Sequence, residues 1–464
     1  MKAKCLVGFP IHWHGEYDPF FTVQQVYSYP GAKAFSVHQH KVNPMPGPYE
    51  GLRVIEFGRF IAAPYCGQLF ADGGADVIKV EPLNGDDARR NGTRLSTTEA
   101  RQYLNKNRGK RSIAVKLSDP RIIKALQKLA KSADIIISNF RPGQGEELGL
   151  DYLTIAKYNP RIIYAENSAY GKKGPLAGQV GMDLLLQART GLAEITSDGP
   201  KAIEDDPVID YMGGMLMSWG IASALYHRER TGQGQQLDVS LLQAALVLQN
   251  NSINHVDKVD GWRNEFVAYL KDAFVKGMTL KDIVDERASR KPPIVPAYYG
   301  FFKTSDGFIA IASGGRALQM RTAKLLGVDD PAIDDINYQP DDYVEYTRAM
   351  RAKSSAILAT QTTDYWLQVF EKAGLPAGPM QFKDQVLDDP QCWENDYLVR
   401  LDHEEVGGIT VVAPPVKFSK SPLSTTTASP VLGRHSREIL VEANLSEDEI
   451  DALFLEQVVY EQPS

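Results

Sequence analysis

From Leu52 onward the chain alternates short apolar runs with amphipathic stretches. Arg53–Phe57 (RVIEF) and Asp76–Glu81 (DVIKVE) read as strands, with a helix over 64–72, opened by Pro64, between them. The rhythm then repeats: an amphipathic helix over 120–132, a strand over 134–138 (DIIIS), a helix near 152–158 and a strand over 161–166 (RIIYAE). Strands alternating with helices of about ten to fifteen residues predict βαβ units and a parallel, helix-covered sheet. A long helix opens at Asp210, runs to about residue 230 and is closed by Thr231-Gly232-Gln233-Gly234. Residues 255–296 are charged, helical in pattern and end in Lys291-Pro292-Pro293, which reads as a linker. Beyond it, a hairpin signal around Ser305-Asp306-Gly307 and helical patterns at 316–326, 340–360 and 363–374 predict a second, smaller α+β unit to about residue 405. After Pro414-Pro415 an extended segment leads to a last helical region over 434–460. Residues 1–47 stand apart: rich in His, Tyr, Phe and Pro, without periodicity, they read as an N-terminal extension of unknown role.

Composition narrows the function classes. The 464 residues carry 51 Lys+Arg against 58 Asp+Glu, a net charge of −7, which argues against a nucleic-acid partner. Three cysteines (Cys5, Cys66 and Cys392) are too few and too scattered for a disulfide framework or a zinc site and fit a reducing compartment. The start shows no cleavable targeting pattern, and the apolar run 211–226 falls short of the ~20 residues that span a bilayer. It reads as a buried core helix. The expectation is therefore a cytoplasmic protein with no membrane partner.

Familiar catalytic motifs are absent. The turn after the first strand reads Gly58-Arg59-Phe60-Ile61-Ala62-Ala63-Pro64, without the G-x-G-x-x-G spacing that lets a dinucleotide pyrophosphate approach the backbone. Neither H-E-x-x-H nor G-x-S-x-G occurs, and His12/His14 and His38/His40 are i,i+2 pairs with no cysteine nearby, so no metal is expected. The strongest charge signal is the stretch 89–111: Arg89, Arg90, Arg94, Arg101, Lys106, Arg108, Lys110 and Arg111 against one acid, Glu99. Such a run is either a solvated face or an anion site for the phosphates of a nucleotide-like ligand, to which Arg141, after the strand at 134–138, would add. Asp210, before Tyr211-Met212-Gly213-Gly214, is either a helix N-cap or a carboxylate held ionised by the helix dipole, with glycines leaving room for a substrate. Asp183 carries the same ambiguity, and Glu204, Asp205 and Asp206 read as a solvated loop.

In order along the chain stand GLRVIEFGRFIAAPYCGQLFADGGADVIKVE (51–81), NRGKRSIAVKL (107–117), ADIIISNFRPG (133–143), residues 159–192, the helix from Asp210 through TGQGQQLDV (231–239), GLPAGPM (374–380) and LGRHSREIL (432–440). Together these segments resemble the class III CoA-transferases, a family that includes formyl-CoA transferase, carnitine CoA-transferase and the α-methylacyl-CoA racemases. The resemblance runs from about residue 51 to the end and weakens over 251–295. It implies an α/β fold: a Rossmann-like large domain (48–254, completed by 406–464), a linker (255–296), an inserted α+β domain (297–405), and an interlocked homodimer. It also implies a CoA-transferase that moves CoA from an acyl-CoA to a carboxylic acid through a covalent intermediate on Asp210. Asp183, Gly213 and Gly214 would support the chemistry, the two glycines through backbone N–H groups near a developing oxyanion. The family's CoA contacts match Arg89, Asn107, Lys110, Arg111, Asn139 and Arg141. No permanently bound cofactor is implied, since CoA and acyl-CoA are substrates. Two other readings stand beside this one: a racemase using Asp183, whose histidine partner has no match between His40 and His227, and a non-catalytic CoA-binding protein of the same fold. Ile61 stands where formyl-CoA transferase has a glutamine, Lys291-Pro292-Pro293 replaces its glycine-rich flap, and Glu147 replaces a frequent arginine. Oxalate and formyl-CoA are therefore disfavoured as substrates.

Overall fold

The computed structural model describes residues 46–463 apart from residues 204, 205, 292 and 336. The extension at 1–45, with Cys5 and all four of its histidines, and the loop acids Glu204 and Asp205 thus lie outside the described residues. The centre of the fold is a seven-stranded sheet. Its first five strands in sequence are β1 (Arg53–Phe57), β2 (Asp76–Glu81), β3 (Arg111–Val115), β4 (Ile135–Ser138) and β5 (Ile163–Ser168). In space the order is Val459–Tyr460, β3, β2, β1, β4, β5, Gln235–Ser240, parallel except for the terminal Val459–Tyr460. Register is set by apolar side chains: Ile55 lies beside Ile78 on one side and Ile136 on the other.

Because side chains alternate across a strand, neighbouring residues feed opposite cores. Ile55, Ile78, Ile113 and Ile136 pack under Ile122, Leu126 and Leu129 of the helix Pro120–Ala130 and under Ile439 and Leu453 near the C-terminus. Val54, Val77, Ile135 and Ile137 pack on the other face against Cys66 and Phe70 of α1 (Ala62–Asp72) and Met217, Ile221 and Ala224 of the long helix Val208–Thr231. Residues 261–290, expected as a linker, hold the helices Gly261–Ala273 and Leu280–Arg290. Residues 297–375 carry a core of their own, built around Phe302, Ile309, Trp366 and Phe370. The expected boundary at residue 405 falls in the turn between the paired strands Leu398–His403 and Gly407–Val412.

Two expectations about the long helix need correction. It starts at Val208, so Asp210 is its third residue and not its N-cap. Nor is it buried all round. It is long and apolar enough to cross a membrane by length and composition, but one face is packed on α1 and the sheet, while Met215, Tyr226 and Trp219 (72% exposed) face outward. The packed face depends on its glycines. A Cβ on Gly214 would stand 2.7 Å from the carbonyl oxygen of Ala62 and 3.0 Å from the Tyr65 ring, and one on Gly213 would stand 3.1 Å from Leu241. The glycines let two helix backbones approach closely.

An exposed helical glycine gains about 1 kcal/mol on substitution by alanine, whereas a buried clash costs about 1–3 kcal/mol. Gly214→Ala should therefore lower unfolding free energy by about 1–2 kcal/mol in a denaturant titration. Gly261→Ala, where nothing lies within 4 Å of the new methyl group, should cause no loss.

Candidate active site

In an open parallel sheet, ligands bind beyond the strand carboxyl ends where the strand order reverses. Here that point lies between β1 and β4, and the loops after these strands, with that after β5, enclose a cavity of about 300 Å³. Arg59, Phe60, Asn139, Arg141, Asn167 and Asp210 are among its lining residues.

The loop after β1 is fastened from beneath. The buried ammonium of Lys79 donates to Glu56 Oε1 at 3.0 Å and to the Gly58 carbonyl at 2.8 Å, and pairs with Asp86 Oδ2 at 3.0 Å. Asp86 in turn accepts from the Phe60 amide at 3.1 Å. Phe60 is held at φ 63°, a left-handed conformation that a bulky residue adopts only when its surroundings impose it. Asn139, at the end of β4, closes the loop from the other side, accepting from the Arg59 amide and donating to its carbonyl, both at 2.9 Å. Asn139 thus orients the Arg59 loop with its side chain while lining the cavity.

Asp210 reaches the cavity from the first turn of the long helix. Asp183 positions it. One carboxylate oxygen of Asp183 accepts from the amides of Ile209 (2.8 Å) and Asp210 (3.0 Å), and the other accepts from Gln187 Nε2 (2.6 Å). Asp183 therefore caps a helix it does not belong to. It is 7% exposed and does not line the cavity, and among the described residues no histidine lines it; the role that the geometry gives Asp183 is that of a helix cap. The Asp210 carboxyl is pushed up to about 7, first by burial, then by the adjacent Asp183 charge, against the pull of Lys106. Lys106 is itself 1% exposed, lies over the Tyr211 ring, and is lowered to about 8 by burial. The amides of Gly213 and Gly214 lie inside the helix, where the i→i−4 pattern uses them. They are not available to an oxyanion, and the oxyanion role expected of them is replaced by the packing role described above.

The basic cluster separates into two kinds of residue. Arg89, 1% exposed, is held by both oxygens of Glu81 (2.7 and 2.8 Å), by Glu99 and by the Pro430 carbonyl (3.0 Å), and lies on the Tyr103 ring. Lys110 is buried against Glu56 (2.6 Å), the Pro64 carbonyl and Asn107, whose own amide donates to Tyr103. Arg111 is part-buried among Asp76, Glu438 and Glu442. These four side chains are used to join strands, helices and the C-terminal segment, and none lines the cavity. Arg141 does line it, exposed and without an ion pair among the described residues, and so does Arg59, whose one ion pair among those residues is with Asp87. Arg59 was absent from the anion set expected from sequence, although its place just beyond β1 marks it by the strand-end rule. Asn167 was missed as well, because an asparagine at a strand end carries no spacing signal.

A family model for CoA-transferase family III matches residues 49–436. Succinyl-CoA:glutarate CoA-transferase of Mus musculus is 33% identical over 403 residues, covering 85% of this chain and 86% of that protein. Acetyl-CoA:oxalate CoA-transferase of Acetobacter aceti is 31% identical over 377 residues, covering 80% of this chain and 90% of that protein. Among solved structures, Rv3272 from Mycobacterium tuberculosis superposes with a TM-score of 0.68 at 27% identity, covering 84% of this chain and 98% of that one.

The raised Asp210 carboxyl has a consequence for stability. Folded, the group holds its proton up to about pH 7, whereas unfolded it releases it near the ordinary 3.8. Between these values the folded state binds more protons, so this group's contribution to stability falls as pH rises from about 4 to about 7. Asp210→Asn removes that loss. Its thermal midpoint should match the parent's near pH 4 and exceed it at pH 8; equal midpoints at both would contradict the raised carboxyl.

Proposed function

The chain belongs to CoA-transferase family III, and from that premise we propose that it transfers CoA between carboxylic acids through covalent intermediates on Asp210. The observation that carries this reading is the placement of an activated carboxylate, Asp210, in a cavity at the reversal point of a parallel sheet. A carboxylate with a raised pKa is more basic than an ordinary aspartate, and so a better nucleophile once ionised. The cationic mouth of the cavity, Arg141 and Arg59, suits the phosphates of CoA.

The reaction runs in four balanced exchanges. Ionised Asp210 attacks the donor thioester carbonyl; the new C–O bond forms, the C–S bond breaks, and CoA leaves as the thiolate with a mixed anhydride behind it. The thiolate attacks the aspartyl carbonyl of that anhydride, releasing the donor acid as its carboxylate and leaving an aspartyl–CoA thioester. The acceptor carboxylate then attacks this thioester, expelling the thiolate and forming a second anhydride. Attack of the thiolate on the acceptor acyl carbonyl yields the new acyl-CoA and returns Asp210 as a carboxylate. No water is consumed. Holding the thiolate beside the anhydride makes each return attack effectively intramolecular, worth roughly 7–11 kcal/mol when well oriented. The relatives named above act on succinate, glutarate, acetate and oxalate, and this chain's acceptor is read as a carboxylic acid of the same broad kind.

The test is CoA exchange between succinyl-CoA or acetyl-CoA and a panel of mono- and dicarboxylic acids. We expect Asp210→Ala to lower kcat by about a thousandfold or more, the scale on which loss of a nucleophile is felt. The parent's kcat/KM should fall below about pH 7, where Asp210 becomes protonated. Replacing Asp183 by Asn removes the charge that raises Asp210, so the acid limb should move to lower pH. An Asp210→Ala enzyme with parental kcat would overturn the assignment.

A further inference from the structure

We propose that Asn167 is a catalytic residue whose side-chain amide donates a hydrogen bond to the oxyanion formed when Asp210 attacks a thioester. The inference rests on the reading of Asp210 as nucleophile and deepens it by naming the group that receives the developing charge. Four observations converge on this residue.

Asn167 is 6% exposed and sits near the end of β5, on the side of the sheet where the cavity opens. It lines the same cavity as Asp210. Its Oδ1 is buried with no hydrogen-bond partner among the described residues, and no protein acceptor takes its Nδ2 there. Only Oδ1 is enclosed; Nδ2, which is not among the buried unpaired atoms, opens to the cavity with its protons uncommitted to any described residue. Finally, Nδ2 lies 3.9 Å from the point where a Cβ of Gly213 would be. Gly213 follows Asp210 by three residues on one helix, and such positions share a face with Cβ atoms about 5–6 Å apart. The amide therefore lies against the face of the long helix from which Asp210 projects, and the missing Gly213 side chain leaves the space between them open.

The chemistry fits that position. Attack of Asp210 on the thioester carbonyl turns the carbonyl oxygen into an alkoxide, which returns its electron pair to carbon as the C–S bond breaks. The backbone amides of Gly213 and Gly214 are committed to the helix, and the amides of Ile209 and Asp210 to Asp183. Asn167 is an uncharged side-chain donor that lines the same cavity, lies against the Asp210-bearing helix and is left unused by these commitments. A donor fixed by burial needs no reorganisation when the charge appears, which is why such groups count for more in a dry cavity than in water.

Three variants and the parent would be compared with the acyl-CoA donor that the parent turns over fastest among acetyl-, succinyl- and butyryl-CoA. Asn167→Ala should lower kcat by about 100–1000-fold, the usual cost of one oxyanion donor, with donor KM within about threefold of the parent. Asn167→Ser, which keeps a donor, should recover part of the loss, and Asn167→Asp, nearly the same size but without a donor when ionised, should not. If Asn167→Ala fails to fold, Asn167→Asp carries the comparison. In parallel, hydroxylamine trapping of the acylated enzyme reads out formation of the Asp210 adduct. Parent adduct formed quickly and variant adduct formed slowly supports the proposal. Parent and Asn167→Ala adducts formed at the same rate, or kcat retained within about fivefold, overturns it while leaving the nucleophile in place. No adduct in the parent overturns the nucleophile, and this inference with it.

Discussion

One buried ammonium group, that of Lys79, ties together the parts from which the site is made. It lies on β2 beneath the loop that follows β1, fully enclosed, with Glu56, Asp86 and the Gly58 carbonyl as its partners. An isolated charge at that depth would cost several kcal/mol, so its partners are obligatory, and each of them lies on a different piece of backbone. Glu56 belongs to β1, Gly58 begins the cavity loop, and Asp86 holds the Phe60 amide. Lys110 shares Glu56 from the segment before β3. The pairing fixes the loop that carries Arg59 and Phe60, and the left-handed Phe60 backbone is held by the bond from its amide to Asp86.

At the other wall of the cavity, opposing electrostatic effects meet on Asp210. The first turn of a helix favours a negative charge by about 0.3–1 kcal/mol, and Lys106 adds to that attraction. Burial and the neighbouring Asp183 oppose it and prevail, leaving the carboxyl near neutrality. Asp183 does two things through one group: its oxygens cap the helix, and its charge makes the adjacent carboxylate more basic. A neutral cap would hold the helix less tightly, since it lacks the charge that strengthens these bonds, and would leave Asp210 a weaker base. This is the physical content behind an acid that serves as nucleophile in the proposed transfer.

The fold and the site were unequally legible in the sequence. β1, β2 and β4 are short apolar runs bounded by turns, and their strands lie within a residue of where the pattern places them. β3 was hidden because Lys110 and Arg111 made its start look like part of a charged surface, whereas both side chains are turned to partners on other elements. Gln235–Ser240 is an edge strand of mixed polarity, and Val459–Tyr460 is too short to have a period. The same long-range pairing explains why the basic cluster was read as a ligand site: Glu81 and Asp76 lie 8 and 35 residues from the arginines they hold, and nothing local in sequence announces them. Asp210 was legible through family resemblance, but its coupling to Asp183, 27 residues earlier, appears only when the chain is folded.

The central claim is that Asp210 becomes covalently bonded during transfer. Intact-protein and peptide mass spectrometry of the enzyme mixed with acyl-CoA and hydroxylamine tests it most directly, with Asp210→Ala beside it. The account predicts a hydroxamate on Asp210 that requires acyl-CoA and is absent from the variant. A parent enzyme that completes CoA exchange while Asp210 stays unmodified would contradict it.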